Sequence, residues 1–254
     1  MTTHLVIPDT QCQPDVDMSF MTWIGNYAAK HRPDKIIHIG DAADMKSLCQ
    51  YERGKTCFEG RRYRKDIEAV EEGFNLLMAP ISKEIAARDR AHRKRWHPEL
   101  HLTLGNHEDR ISRAVNEDSR LEGLMSLSDL PYTKHGWKVH EFLIPVILDG
   151  VAYAHYFTSG QMGRPVANAK ALVTKKMMSC VMGHAQNWDI HRAVRADGTA
   201  VIGVFVGACY LHDEAYLGPQ GNNYDRGIWV LHEVKNGGFH PMYVSLNYLK
   251  DNYA

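Results

Sequence analysis

The sequence predicts an α/β fold in which two sheets pack face to face with helices outside, and three observations carry that prediction. Short apolar runs alternate with helical stretches through the first half, the pattern of an α/β architecture. The second half is rich in strand-like runs and is interrupted by one helix. At 254 residues, with 44% hydrophobic and 24% charged side chains, the chain can bury a large core and has an ordinary globular composition. A single domain over residues 1–254 is therefore expected.

In chain order, His4 to Ile7 reads as the first strand and Met18 to Lys30 as a helix. Lys35 to Ile39 is the next strand, closed by Gly40. The apolar spacing is helical from Arg61 through Ala79, with Pro80 marking a break or kink before a second helical stretch, Ile81 to Trp96. His101 to Leu104 is a strand, and Glu108 to Met125 is helical, opened by acidic residues that suit a helix N-terminus. Strands follow at Val139 to His140, Leu143 to Leu148, Val151 to His155, Cys180 to Met182, Ile190 to Val194, Val201 to Val206 and Ile228 to Val234. Asp149-Gly150 and Asp197-Gly198 are placed as hairpin turns, and Val166 to Lys176 as the interrupting helix.

Charge and cysteine content narrow the function classes. Lys plus Arg and Asp plus Glu are equal at 30 each, so no overall field draws the chain to nucleic acid or an anionic membrane. The start, MTTHLVIPDTQ, resembles neither a signal nor a transit peptide, and no run is long enough to span a bilayer. The five scattered cysteines form no Cys-x-x-Cys pair, which argues for reduced thiols and a cytoplasmic location.

Five residues of metal-ligand type each sit at or just after the end of an apolar run. Asp9 follows LVIP, Asp41 follows KIIHIG, Asn106 follows HLTLG, His155 ends VAYAH, and His184 follows CVMG. Loops beyond the carboxyl ends of strands can aim side chains from several strands at one point. Singly, each residue suits an ordinary turn or a hydrogen-bonded surface position.

Taken in order, PDTQ, GDAAD, GNHE, AHYF and GHAQ resemble the motifs of the metallophosphoesterase, or calcineurin-like, family. The resemblance runs from Asp9 to about Gln186 and is strongest to small phosphoesterases of tailed bacteriophages, with which the chain also shares HDEAYLGPQG. It implies a four-layer αββα sandwich of two mixed sheets flanked by helices. It further implies two divalent ions, manganese first, with magnesium, iron or zinc as alternatives, and hydrolysis of phosphodiesters and some phosphomonoesters. Asp41 would bridge the ions; Asn106, His155 and His184 would complete one shell, and Asp9 would bind the other ion. His107 would sit over the scissile phosphate as a catalytic group. The family usually has Asp-x-His and Gly-His-x-His where this chain has Asp9-Thr10-Gln11 and Gly183-His184-Ala185-Gln186. Gln11 and Gln186 would thus replace two imidazoles around the same ion, which predicts one tight and one weak, exchangeable ion.

Beyond the metals, Asp44 is expected to position ligands or to cap a helix, and Glu108 and Asp109 to be first-turn residues. Arg61, Arg62, Arg110 and Arg164 are candidates for phosphate oxygens, and His212 with Asp213 and Glu214 for the border of the substrate pocket, beside a loop marked by Gly218, Gly221, Asn222 and Asn223. The basic run from Arg88 to Trp96 is read as a solvated face. The expected partner is a small phosphodiester or nucleotide-like substrate, with nucleic acid as the alternative, no membrane, and room for homo-oligomerisation. Two competing functions are an exonuclease of the same superfamily and a metal-binding scaffold without catalysis.

Overall fold

The structure is a computed structural model, and it describes residues 1–214 and 222–254. The elements are β1 (Thr2–Ile7), α1 (Ser19–His31), β2 (Lys35–His38), α2 (Tyr63–Arg90), β3 (Glu99–Thr103), α3 (Asp109–Glu117), β4 (Lys138–His140), β5 (Val146–Leu148) and β6 (Val151–Tyr153). They continue with α4 (Ala169–Lys176), β7 (Cys180–Met182), β8 (Trp188–Val194), β9 (Ala200–Val206), β10 (Gly227–Lys235), β11 (Gly238–Ser245) and α5 (Leu246–Tyr253). The architecture is α/β, with two mixed sheets and, among the described residues, five α-helices.

One sheet has the order β11-β10-β1-β2-β3-β4 and the other β5-β6-β7-β9-β8. In the first, β1, β2, β3 and β4 run parallel, and β10 is antiparallel to both of its neighbours, β1 and β11. Side chains alternate between the faces of a strand, and β2 and residues 4–7 of β1 are buried on both faces, in keeping with their largely apolar runs. Leu5, Ile7, Ile36 and Leu102 pack with Phe20 and Ile24 of α1 and Phe74 and Leu77 of α2. The alternate residues Val6 and Ile37 meet Tyr153, Val181 and Val204 of the second sheet in another buried cluster. A third cluster joins Ala152, Cys180 and Phe205 to Ala169 and Leu172 of α4.

Pro80 does not break its helix. α2 runs through it, although an interior proline costs a hydrogen bond and about 3 kcal/mol. Gly25 of α1 explains the tolerance: a Cβ there would lie 2.4 Å from the Leu77 carbonyl oxygen and 3.1 Å from Pro80 Cγ. The two helices cross in such close contact that packing outweighs local propensity.

Other boundaries also move for physical reasons. α2 ends at Arg90, and His92 takes a left-handed φ of 48°, so the basic run leaves the helix; the Trp96 indole then donates to the Pro33 carbonyl at 2.8 Å. α3 stops at Glu117 because Asp118 is extended and caps a separate turn at Ser119–Leu121. The strand expected from Leu143 begins only at Val146, since Leu143 has a φ of 65° and Pro145 donates no N–H. No helix among the described residues is long and apolar enough to cross a membrane. All five cysteines are free.

Candidate metal centre and catalytic site

β1, β2 and β3 are parallel neighbours, so their carboxyl ends lie side by side and present Asp9, Asp41 and Asn106. In the other sheet, the parallel neighbours β6 and β7 present His155 and His184 in the same way. Face-to-face packing of the sheets brings the two sets of loops together. Asn106 Oδ1 lies 2.9 Å from His155 Nε2 and 2.8 Å from His184 Nδ1, and His155 Nε2 lies 3.3 Å from Asp41 Oδ2. One ligand atom each from Asp41, His155 and His184 falls within 4.8 Å of the others, a group that could hold a metal ion.

The backbone is bent to achieve this. Gln11, Asp41, His184 and Gln186 all adopt left-handed conformations, with φ of 41°, 46°, 68° and 64°, each costing of order 1–3 kcal/mol unless its surroundings enforce it. Two glycines are required by contact. A Cβ on Gly105 would lie 2.1 Å from Asp41 Oδ1, and one on Gly183 would lie 2.4 Å from Asp9 Oδ1.

Glu108 supplies much of the enforcement. Its fully buried carboxylate accepts the backbone amides of Asp41, Ala42, Ala43 and Gly105 at 3.0, 2.7, 2.9 and 2.8 Å, and the Tyr132 hydroxyl at 2.9 Å. Burial and the Asp41 charge push its pKa up, while the amides favour the anion. It is not merely a first-turn residue: it ties the Asp41 loop to the Asn106 loop. The sequence offered only its place after GNH as a signal.

The donor chemistry fits a divalent cation. His155 Nδ1 donates to the Ile39 carbonyl at 3.1 Å, which leaves Nε2 to bind whatever sits among Asp41, Asn106 and His184. Asp41 Oδ2, Asn106 Oδ1, His155 Nε2 and His184 Nδ1 can all turn lone pairs to one point, a donor set that suits a cation. Burial alone would lower the His155 pKa, but the Asp41 carboxylate raises it to about 9. Burial and the His155 charge push His184 down to about 4. Burial works against the Asp41 anion, yet His107 and His155 hold its pKa well below the usual range.

The other half of the site is different. Asp9 is fully buried, and burial raises its pKa to about 7. Gln186 Nε2 donates to Asp9 Oδ2 at 2.7 Å, and its Oε1 accepts from the Tyr210 hydroxyl at 3.2 Å. In this arrangement Gln186 presents an amide N–H, and not its oxygen, to Asp9. Gln11 Oε1 is buried without a hydrogen-bond partner, an acceptor that suits a cation.

His107 stands beside the cluster, with Nδ1 3.0 Å from Asp44 Oδ1 and Nε2 3.7 Å from Asp41 Oδ2. Burial lowers its pKa, but the two carboxylates outweigh that and raise it. Asp44 is thus an orienting partner of His107 and does not cap a helix. Arg110 Nη1 donates to the Asp44 carbonyl at 2.6 Å, and Nη2 lies 3.0 Å from His107 Nε2. A cavity of about 500 Å³ opens over these residues, lined by Asp44, Lys46, Asn106, His107, His184 and Glu214. Sequence reasoning missed Lys46, whose ammonium lies 3.6 Å from Asp44 Oδ2 and 3.4 Å from Glu214 Oε2.

Of the expected site residues, the structure thus gathers Asp9, Gln11, Asp41, Asp44, Asn106, His107, Arg110, His155, His184 and Gln186. His212 stacks on Tyr210 with ring centroids 4.4 Å apart, and with Asp44 and Glu214 it forms a second group that could hold a metal ion. Arg61 is not brought in: it pairs with Glu52 at 2.6 Å and lines a different cleft. Arg62 lines that same cleft, and Arg164 is exposed. Gly218, Gly221 and most of HDEAYLGPQG lie outside the described residues. A groove of about 860 Å³ between α1 and α2 contains none of the candidate residues. No protein-family model matches the chain, and the search of curated proteins finds no match.

Proposed function

We propose that this chain is a metal-dependent phosphoesterase of the calcineurin-like type, related to the phage-encoded members. In this reading residues 1–254 form one four-layer αββα sandwich that works in the cytoplasm on phosphodiesters and some phosphomonoesters. The observation that carries the reading is the convergence of Asp41, Asn106, His155 and His184 with the His107–Asp44 pair at its edge. A carboxylate, an amide oxygen and two imidazoles make a mixed oxygen and nitrogen donor set, which suits manganese, iron or zinc. Asp9 and Gln11 would hold a second ion, with manganese or magnesium favoured by the oxygen-only donors.

Divalent cations held there by Asp41, Asn106, His155 and His184 and by Asp9 and Gln11 would supply Lewis acidity, activating water and offsetting charge on the phosphate. The chain's own residues do the rest. Asp41 aims one oxygen at His155 and accepts the His107 amide with the other at 2.9 Å, so its orientation is fixed. Asp44 Oδ1 lies 3.0 Å from His107 Nδ1 and orients the ring, and Nε2, which here accepts from Arg110 Nη2 at 3.0 Å, would exchange that contact for the departing oxygen and pass a proton to it. Arg110 and Lys46 place positive charge along the wall where phosphate oxygens would lie.

The deciding experiment is hydrolysis of bis(p-nitrophenyl) phosphate with manganese, magnesium, iron or zinc added. Metal-dependent turnover that disappears in Asp41→Ala supports the reading. Absence of turnover with every metal would overturn it and favour a binding scaffold.

A further inference from the structure

Next to the candidate catalytic cavity lies a second cleft of about 590 Å³ with an aromatic wall. Phe142 and Tyr156, both half-buried, meet edge to face with centroids 5.5 Å apart at 82°. Tyr156 in turn leans on His184 at 4.8 Å, so the wall continues into the imidazoles of the metal-type cluster. At the rim, Tyr51 is 87% exposed. Tyr51, Asn106 and Arg110 line both this cleft and the 500 Å³ cavity, so the two spaces share an edge. Arg113 also lines the cleft and is held by donating to the Asn106 carbonyl at 2.9 Å.

Resting on the phosphoesterase reading, we propose that this cleft is a nucleobase subsite: the base attached to the scissile phosphodiester stacks on Phe142, Tyr156 and Tyr51. Rings left half-covered beside a polar cavity bind a flat, π-bearing group better than water does, and stacking accepts any base. Arg110 and Arg113, one turn apart on α3, add guanidinium planes and charge for the sugar-phosphate that joins base to reacting centre. A lipid chain would meet Asp109, Arg110 and Arg113 along the same wall, where it loses their hydration and gains nothing.

The test compares two substrates with the same leaving group, thymidine 5′-(p-nitrophenyl phosphate) and methyl p-nitrophenyl phosphate, in manganese. The nucleoside substrate is expected to have a KM lower by about tenfold or more, the size of one stacking contact. In Phe142→Leu, which keeps bulk but removes the ring, and in the exposed Tyr51→Ala, the ratio of kcat/KM between the substrates falls toward one. Equal KM values in the wild type, or an unchanged ratio in both variants, would overturn the subsite while leaving the phosphoesterase standing. If the wild type cleaves neither, calorimetric binding of thymidine 5′-monophosphate and methyl phosphate decides. Tighter nucleotide binding that weakens in Tyr51→Ala upholds the subsite, and equal binding removes it. Comparing a thymidine dinucleotide with a thymidine decamer then identifies the source of the base. Activity that rises with length and falls steeply with salt marks a single strand, and length-independent activity marks a small nucleotide.

Discussion

The Glu108 carboxylate accepts the backbone amide of Asp41 at 3.0 Å and, through the same oxygen, that of Gly105 at 2.8 Å. One buried side chain therefore fixes the loop that carries Asp41 relative to the loop that carries Asn106. Both oxygens are surrounded by donors, and Glu108→Gln would turn an amide N–H toward N–H groups. The expected cost is about 3 kcal/mol, the scale of losing hydrogen bonds to a buried charged acceptor. Urea denaturation checks the stability, and manganese calorimetry should show weaker binding because the Asp41 loop loosens. A variant with wild-type stability and metal affinity would contradict this role.

The contrast between the two halves of the metal-type site predicts unequal ions. Asp41, Asn106, His155 and His184 converge on one point, whereas Gln186 presents an N–H to Asp9. Manganese titration should give one tight and one weak binding event. Gln186→His replaces the amide with an imidazole and should tighten the weak event by about tenfold or more, as ligand type governs affinity. Two equally tight events in the wild type would end this account.

His107 and Asp44 should separate chemistry from metal binding. His107→Ala removes the group nearest the cavity and is expected to lower kcat by about a hundred- to ten-thousandfold, the range for a lost general acid. Manganese affinity should change little, because the hydrogen bond that orients Asp41 comes from the His107 backbone amide and survives in the variant. Asp44→Asn should produce a smaller loss of kcat and a shift of the alkaline limb of the pH profile to lower pH, since a neutral partner no longer raises the His107 pKa and the general acid deprotonates earlier. Unchanged kcat in His107→Ala would remove the proposed proton transfer.

Much of this arrangement was legible in the sequence because strands and their terminal loops are encoded locally. Cys180 to Met182 matches β7 residue for residue, and Asp149-Gly150 turns between β5 and β6 with φ of 49° and 86° as the motif requires. β11 and α5 were not anticipated, although Asn236-Gly237 carries the same turn chemistry, with φ of 50° and 84°. Contacts between distant segments were not legible. Pro80 sits inside α2 because Gly25 meets it, Arg61 is drawn away by Glu52, and Glu108 collects amides from residues 65 to 67 positions earlier. Such partners are chosen by the packing of the sheets, which no local pattern states.

The last prediction concerns acid stability and rests on His38. Its Nδ1 accepts the Gly40 amide at 3.3 Å, so the ring is neutral with its proton on Nε2, directed to Thr10 Oγ1 at 3.0 Å; Thr10 donates onward to the Ala42 carbonyl at 3.3 Å. Burial lowers the His38 pKa to about 3, with Asp41 opposing only in part. Above the unfolded value of about 6.5 both states leave the ring neutral, and it adds no pH dependence. As pH falls from about 6.5 toward about 3, the unfolded chain takes up a proton that the native ring refuses, so stability drops by about 1.4 kcal/mol per unit from this group. His38→Asn, which does not titrate, should be less stable at pH 7 but lose stability less steeply between pH 6 and pH 4, as read from urea midpoints. Parallel pH profiles for wild type and variant would mean that the native ring takes up a proton as readily as the unfolded chain and that its Nδ1 does not accept the Gly40 amide.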